Sequence, residues 1–410
     1  MSVGVCIINK NGIALATDSA ITFTGDRMFY NSMNKLFSLS KKNICGAIIY
    51  GTTNIYNVPL EQILKEFGTF LDQRKYVDDF FEITPLFIEF IKSKNNYYKF
   101  NIAEKEVCKK AINDFVDEWG RKLKVELQKS NEHNKMEAIL DEFSNDIDSK
   151  QEVTDYDVSE YIRANYAEVY ETSLNNVVPE IQNYLDIKEK FWKLISKQFN
   201  VVSNDESAEK KGIFFAGYGK NDAFPKYINI ELYTVVNGEA KLKINSKYEQ
   251  SNLKAQIVPL AQIEEIEIFC RGISNYLEEY IPKKMDELII KKINELPEEF
   301  SEEQKKILID VMAECKGELK ADLENIIRCK YITPIMRSIP LILLPEMAVL
   351  AENLVNITSL KRTFALDGLQ QTVGGPTDVA VISKSDGFIW IKQKAYFDKR
   401  LKLDYSTENF

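Results

Sequence analysis

The order of two hydrophobic periodicities constrains this chain more than any other feature. Val3, Val5 and Ile7 alternate with smaller neighbours, Lys10-Asn11-Gly12 is a turn signal, Ile13 to Thr17 resumes the extended pattern, and Asp18 ends it. Leu36 to Leu39 and Ile44 to Tyr50 read as a second hairpin around Lys41-Lys42-Asn43. Helical spacing then takes over. Pro59 opens a helix carrying Leu60, Ile63, Leu64, Phe67 and Leu71. Val107, Ile112, Phe115 and Trp119 form a second stripe, with Asn101 and Glu104 as its predicted cap. Ile162, Tyr166 and Val169 continue the helical spacing, which runs to about Phe199. These stripes read as packing faces rather than ligand sites.

Val201 to Lys211 is a polar connector, after which extended patterns return at Ile213 to Gly219, Tyr227 to Val235 and Lys241 to Ile244. A second helical stretch runs from about Ile263 to Phe364, with predicted breaks at Pro282, Pro297 and Pro334 and a capping box of Ser301 and Gln304. Two strands, Asp378 to Ser383 and Phe388 to Lys392, close the pattern around Ser385-Asp386-Gly387. Strands, helices, strands, helices, strands is not the alternation of a doubly wound parallel sheet. It fits an α+β chain of two antiparallel sheets with helices on the outer faces.

With 410 residues, 45% of them hydrophobic, the chain can fill two average domains or one domain with large insertions. The net charge of −9 and the lack of a long basic cluster argue against nucleic acid and against an anionic membrane surface as partners. No basic region precedes the short apolar run at the N-terminus, so it does not read as a signal peptide. The apolar stretch Ile339 to Leu350 carries two prolines and a glutamate and is too short to span a bilayer. Cys6, Cys45, Cys108, Cys270, Cys315 and Cys329 form no CxxC pair and read as buried, reduced thiols. The expected protein is soluble and cytoplasmic.

The single histidine, His133, lies in a polar helical stretch and reads as a surface residue. Triads built on histidine and histidine-rich zinc sites are therefore excluded, and neither a Walker A motif nor GxGxxG is present. No cofactor is expected. A site made of carboxylates alone stays open. A hydroxyl on the first residue of a chain needs no histidine, because the α-amine of the same residue, with a pKa near 7.7–8.0, can act as its base. Residue 2 is serine, small enough for an initiator methionine to be removed before it.

The stretch from Ser2 to Asp18, SVGVCIINKNGIALATD, resembles the start of N-terminal-nucleophile hydrolases, in the form of proteasome β subunits and HslV-type bacterial peptidases. There a nucleophile opens a strand, a glycine turn follows (here Gly12), and an aspartate stands sixteen residues after the nucleophile, the separation of Ser2 and Asp18. Asn34-Lys35-Leu36-Phe37 is similar to the family's lysine segment, displaced by one residue, and Gly51-Thr52-Thr53 to its glycine-containing turn. Phe215-Ala-Gly-Tyr-Gly219 resembles the central strand motif, and the run from Val373 to Ile382, VGGPTDVAVI, the double-glycine turn before the last strands. The resemblance covers about residues 2–72, 212–280 and 340–394.

It implies a four-layer αββα sandwich, with residues 1–72, 212–280 and 340–410 forming the sandwich and 73–211 and 281–339 inserted as helices. It also implies roles. Ser2 would be the nucleophile, Lys35 a neighbouring cation, Asp18 its anchor, and the Gly51 N–H an oxyanion donor. The expected activity is cleavage of amide bonds, most readily of peptides, inside a homo-oligomer, with a separate ATP-dependent unfoldase supplying folded substrates. Two departures stand out. The family's aspartate and serine before the double glycine are replaced by Gln370 and Val373, with Asp367 and Thr372 out of step. The family's serine at the start of a later helix is replaced in Pro259-Leu260-Ala261-Gln262. A non-catalytic assembly scaffold and a small-molecule amidase are the competing expectations.

Overall fold

The structure is a computed structural model that describes residues 2–23, 28–30, 32–74, 76–130, 133–152, 157–202, 211–249, 254–297, 300–364 and 373–394. Ten strands build the two main sheets: β1 (Val3–Asn9), β2 (Gly12–Thr17), β3 (Leu36–Ser38), β4 (Ile44–Gly51), β5 (Lys211–Tyr218), β6 (Lys226–Val236), β7 (Glu239–Glu249), β8 (Gln256–Ala261), β9 (Asp378–Ser383) and β10 (Gly387–Lys392). One five-stranded antiparallel sheet runs β8-β1-β2-β9-β10 and the other β7-β6-β5-β4-β3. The chain is an α+β protein with two such sheets.

The helices are α1 (Leu60–Gln73), α2 (Ile83–Ser93), α3 (Phe100–Ser130), α4 (His133–Asp148), α5 (Ser159–Asn165), α6 (Ala167–Val177), α7 (Leu185–Gln198), α8 (Glu264–Arg271), α9 (Asn275–Asn294), α10 (Glu302–Ile326), α11 (Thr333–Ser338) and α12 (Leu344–Phe364). Local chemistry explains the first hairpin. Asn9 Oδ1 accepts the Asn11 N–H at 2.8 Å, and Gly12 adopts φ +146°. A Cβ there would lie 2.3 Å from the Ile382 carbonyl oxygen, so only glycine lets β9 approach. The Asn9 amide also donates to the Ile339 and Ile342 carbonyls, tying the hairpin to the segment before α12.

Both faces of β1 and β2 are buried, which is why they read as nearly continuous apolar runs. Val3, Val5, Ile7, Ala14 and Ala16 pack with Met347, Ala351 and Val355 of α12. Cys6, Ile8, Ile13 and Leu15 pack instead with Ile48, Phe214 and Ala216 of the other sheet. That sheet's opposite face, through Ala47, Ile49, Phe215 and Ile230, meets Phe67 of α1 and Phe87 and Phe90 of α2. Helices α3 to α7 have a core of their own around Ile112, Leu123, Phe143 and Phe191, joined to the sheet residue Val236.

Several local expectations are corrected. Helix α3 starts at Phe100, so Asn101 and Glu104 lie inside it. Glu104 is buried and accepts from Tyr161, Tyr166 and the Asn237 N–H, a tertiary anchor rather than a cap. Val107 faces solvent. Pro282 sits within α9 without ending it, whereas α8 ends at Gly272 in a left-handed conformation. The capping box of Ser301 and Gln304 is present. Cys6, Cys45 and Cys108 are buried, but Cys270 is half-buried and Cys315 and Cys329 are exposed. Residues 256–261 form strand β8, with Pro259 opposite Val5 on the sheet edge, where a missing N–H costs no ladder bond. Among the described residues no helix is long and apolar enough to cross a membrane.

Candidate active site

Even-numbered residues of β1 face the other sheet, and Ser2 continues that parity at the strand's start. It is 2% exposed. Its carbonyl accepts the Gln262 N–H at 3.1 Å, so β8 holds its backbone from one side. Its Oγ accepts the Gly51 N–H at 3.3 Å across the gap between the sheets. Gly51 ends β4 with φ +78°, a left-handed conformation that turns its N–H toward Ser2 and that glycine adopts without strain.

Asp18 follows β2 and is fully buried. Its Oδ1 accepts from Lys35 Nζ at 2.7 Å and from the Val3 N–H at 3.1 Å. Its Oδ2 accepts from the Ala20 and Gly374 N–H groups, each at 3.2 Å. The carboxylate is thus held by four donors from four separate parts of the chain. Lys35, 1% exposed, precedes β3, and its carbonyl accepts the Ile49 N–H of β4 at 2.9 Å. The four residues singled out by the sequence therefore come together. Ser2 and Gly51 share one hydrogen bond, Lys35 and Asp18 an ion pair, and the residue after Ser2 bonds the oxygen that holds the lysine.

Burial pushes the Lys35 ammonium below its ordinary pKa, opposed by the Asp18 charge and reinforced by the Lys394 charge. Lys394 belongs to a second buried ion pair, with Asp378, whose Oδ1 also accepts the Lys394 N–H at 2.8 Å. Asp378 stands opposite Thr17 in the β9–β2 register, one residue from Asp18, and its parity on β9 points it between the sheets with Ala380 and Ile382. Sequence reasoning missed this pair, because nothing local marks two charges sixteen residues apart as partners. It also missed Ser19, whose N–H donates to Gly374 and whose hydroxyl donates to Pro376, fastening the double-glycine turn to the end of β2.

The altered supporting positions are placed in part. Val373 is buried among apolar residues and offers no hydroxyl. Asp367, Gln370 and Thr372 lie outside the described residues. Pro259 to Ala261 end β8, and Gln262 supplies a backbone N–H to Ser2. His133, exposed at the start of α4, pairs with Asp186 far along the chain in the helical segment. Among the described residues no group of three or more His, Cys, Asp and Glu side chains could hold a metal ion. The arrangement sets a hydroxyl, a donor aimed at it, and a charge-compensated ammonium within one buried cluster. That is suited to nucleophilic attack on a neutral carbonyl. No protein-family model matches the chain, and no curated protein matches it.

Proposed function

We propose that this protein is an N-terminal-nucleophile amide hydrolase of the proteasome β type, with its sheets and helices stacked as a four-layer αββα sandwich. The layering is supported by the three apolar clusters: one between α12 and the first sheet, one shared by the two sheets, one between the second sheet and α1 and α2. The observation that carries the activity is the Gly51 N–H directed at Ser2 Oγ beside the Asp18–Lys35 pair.

In the proposed reaction Ser2 Oγ attacks the amide carbonyl, the Ser2 α-amine takes the hydroxyl proton and gives it to the leaving amine as the C–N bond breaks, and water, deprotonated by the same α-amine, then cleaves the Ser2 ester to release the acid and restore the hydroxyl. The Gly51 N–H then turns from the hydroxyl to the developing oxyanion, a role in which one donor contributes about 3–4 kcal/mol. The Lys35 ammonium stabilises the negative charge passing through Oγ and, as a like charge, favours the neutral α-amine that must act as base. Asp18 keeps the ammonium in place. Peptides are the substrates proposed, with a homo-oligomer and a separate unfoldase as partners, in the cytoplasm.

The reading requires that Ser2 open the mature chain. Intact mass of the natively produced protein tests this, followed by an electrophile that bridges a terminal amine and a neighbouring hydroxyl. A single adduct on Ser2 is expected, absent from Ser2→Ala. A blocked residue 2, or turnover undiminished in Ser2→Ala, overturns the proposal.

A further inference from the structure

The Gly51 N–H belongs to the rigid peptide plane that joins Gly51 to Tyr50. Its direction is therefore set by two torsions, the φ of Gly51 and the ψ of Tyr50. The glycine side is the permissive one, at φ +78°. The tyrosine side is held. Tyr50 is 7% exposed and lies between the sheets with Ile48, Phe214 and Leu260. Its hydroxyl donates to Asn229 Oδ1 at 2.7 Å in a buried bond. Burial raises the Tyr50 pKa to about 12, against the pull of the Asn229 bond, so the hydroxyl stays protonated and able to donate.

Tyr50 is on β4 and Asn229 on β6, with β5 between them. The side chain thus reaches over a whole strand, two spacings of about 4.8 Å. The residue beneath it makes that reach possible. Gly212 is the β5 partner of Tyr50, and a Cβ built there falls 2.1 Å from Tyr50 Cζ, 2.2 Å from Cε2 and 2.4 Å from Cε1. The ring occupies the space that a side chain at 212 would fill. The φ of Gly212 is not positive, so glycine is required there by the ring and not by the backbone.

We infer that Tyr50, seated on Gly212 and tied to Asn229, is a positioning residue that aims the Gly51 N–H; this rests on the oxyanion role proposed for that N–H. Among the described hydrogen bonds the Tyr50 side chain makes none to Ser2, so it acts through the peptide plane. An oxyanion donor is most effective when it already points at the place where charge develops. With one torsion clamped through the phenol, the N–H faces Ser2 before substrate arrives. A methyl at 212 takes the ring's place, draws the hydroxyl off Asn229 and frees the plane.

Tyr-Gly occurs twice in the chain, at Tyr50-Gly51 and Tyr218-Gly219. Full-length protein with ¹³C in the tyrosine carbonyls and ¹⁵N in glycine therefore gives two selected amide signals. Gly219, whose N–H donates to Asp222 Oδ2 at 2.7 Å, is the internal reference. Ser2→Ala should shift the Gly51 signal and leave Gly219 in place. Gly212→Ala should also shift Gly51, and should abolish its response to Ser2→Ala. Asn229→Ala, which removes the acceptor and adds no bulk, should move Gly51 the same way by less, and it serves if Gly212→Ala does not fold. On a fluorogenic peptide amide Gly212→Ala should lower kcat about a hundredfold with KM little changed, as for a lost oxyanion donor. In a Tyr50→Ala background no ring remains to be displaced, so Gly212→Ala should cost no further kcat. A Gly51 signal indifferent to both Gly212→Ala and Asn229→Ala, or a Gly212→Ala loss as large without the ring as with it, would overturn the inference. A Gly51 signal that answers to Gly212→Ala but not to Ser2→Ala would uphold Tyr50 as the fixture of this plane and would instead remove the function proposed for Ser2 and Gly51.

Discussion

Asp18 and Lys35 differ in what each leaves behind when removed, and that difference can be measured. In Lys35→Met the Asp18 carboxylate keeps three backbone donors, from Val3, Ala20 and Gly374. The expected loss is about 1–3 kcal/mol. In Asp18→Asn no orientation of the amide suffices. Each Asp18 oxygen accepts two donors, so the new NH₂ must face either Lys35 and Val3 or Ala20 and Gly374. A buried ammonium also loses its countercharge, and removing one partner of such a pair costs about 3–5 kcal/mol. In the double variant no ammonium remains to be compensated, so it should be less destabilised than the sum of the singles by about 1–3 kcal/mol. Urea denaturation of the full chain, with hydrogen exchange of the β1 and β2 amides to separate the sheets from the core of α3 to α7, gives all three values. Equal losses in the two single variants, or strict additivity in the double, would refute the reasoning. The pH dependence supplies a second arm. The Lys35 pKa lies below the 10.5 of the unfolded chain, so between the two values the unfolded state binds more protons and this group's contribution to stability rises with pH. Cys6 opposes it, since burial pushes its thiol above the ordinary 9.0 and stability is lost as pH rises past that value. The comparison is therefore the parent minus Lys35→Met, whose difference should grow with pH toward 10.5.

Three further outcomes follow from the same site. Ser2→Ala should abolish amide turnover while shifting the urea midpoint by less than the Asp18→Asn change, because its hydroxyl makes one long bond, at 3.3 Å. Gly51→Ala places a side chain at φ +78°, a strain of about 1–2 kcal/mol that is relieved only by turning the N–H away. kcat should fall at least a hundredfold with KM little changed, as for loss of an oxyanion donor. Lys394→Met removes a like charge that pushes the Lys35 pKa down. The Lys35-dependent part of the activity–pH profile should therefore move to higher pH, and an unchanged profile would deny the coupling.

The legible part of this fold is the part whose signals are local. The turn at Lys10-Asn11-Gly12, the hairpin around Lys41-Lys42-Asn43, the capping box of Ser301 and Gln304, and the strand Asp378–Ser383 could each be read from a few residues. The four candidate site residues were singled out by their spacing within the resemblance, and the structure places them next to one another. What stayed hidden depends on contacts far apart in sequence. Residues 256–261 include Pro259 and no clean alternation, because an edge strand half covered by helices needs neither. Glu104 looked like a cap because its spacing from Asn101 suits one, but its carboxylate is used by residues 57 to 133 positions away. The Asp378–Lys394 pair is invisible for the same reason.

The departures at Val373 and Pro259 to Gln262 bear on what kind of site this is. A hydroxyl beside the nucleophile would hold the α-amine. Val373 lies in the apolar cluster and Gln262 contributes a backbone N–H to the Ser2 carbonyl, so neither place offers that hydroxyl. Two buried ammonium groups, Lys35 and Lys394, lie close enough for the second to act on the first, and each is balanced by its own carboxylate, Asp18 and Asp378. Such pairs are exacting, because removing one partner of a buried ion pair leaves the other charge uncompensated. A site built so should be sensitive to substitution at Asp378, which touches neither Ser2 nor Gly51 among the described hydrogen bonds. Asp378→Asn removes the carboxylate that holds the Lys394 ammonium in place, so the ammonium should turn out toward solvent. The like charge near Lys35 is then lost as in Lys394→Met, and the two variants should share one displaced pH profile.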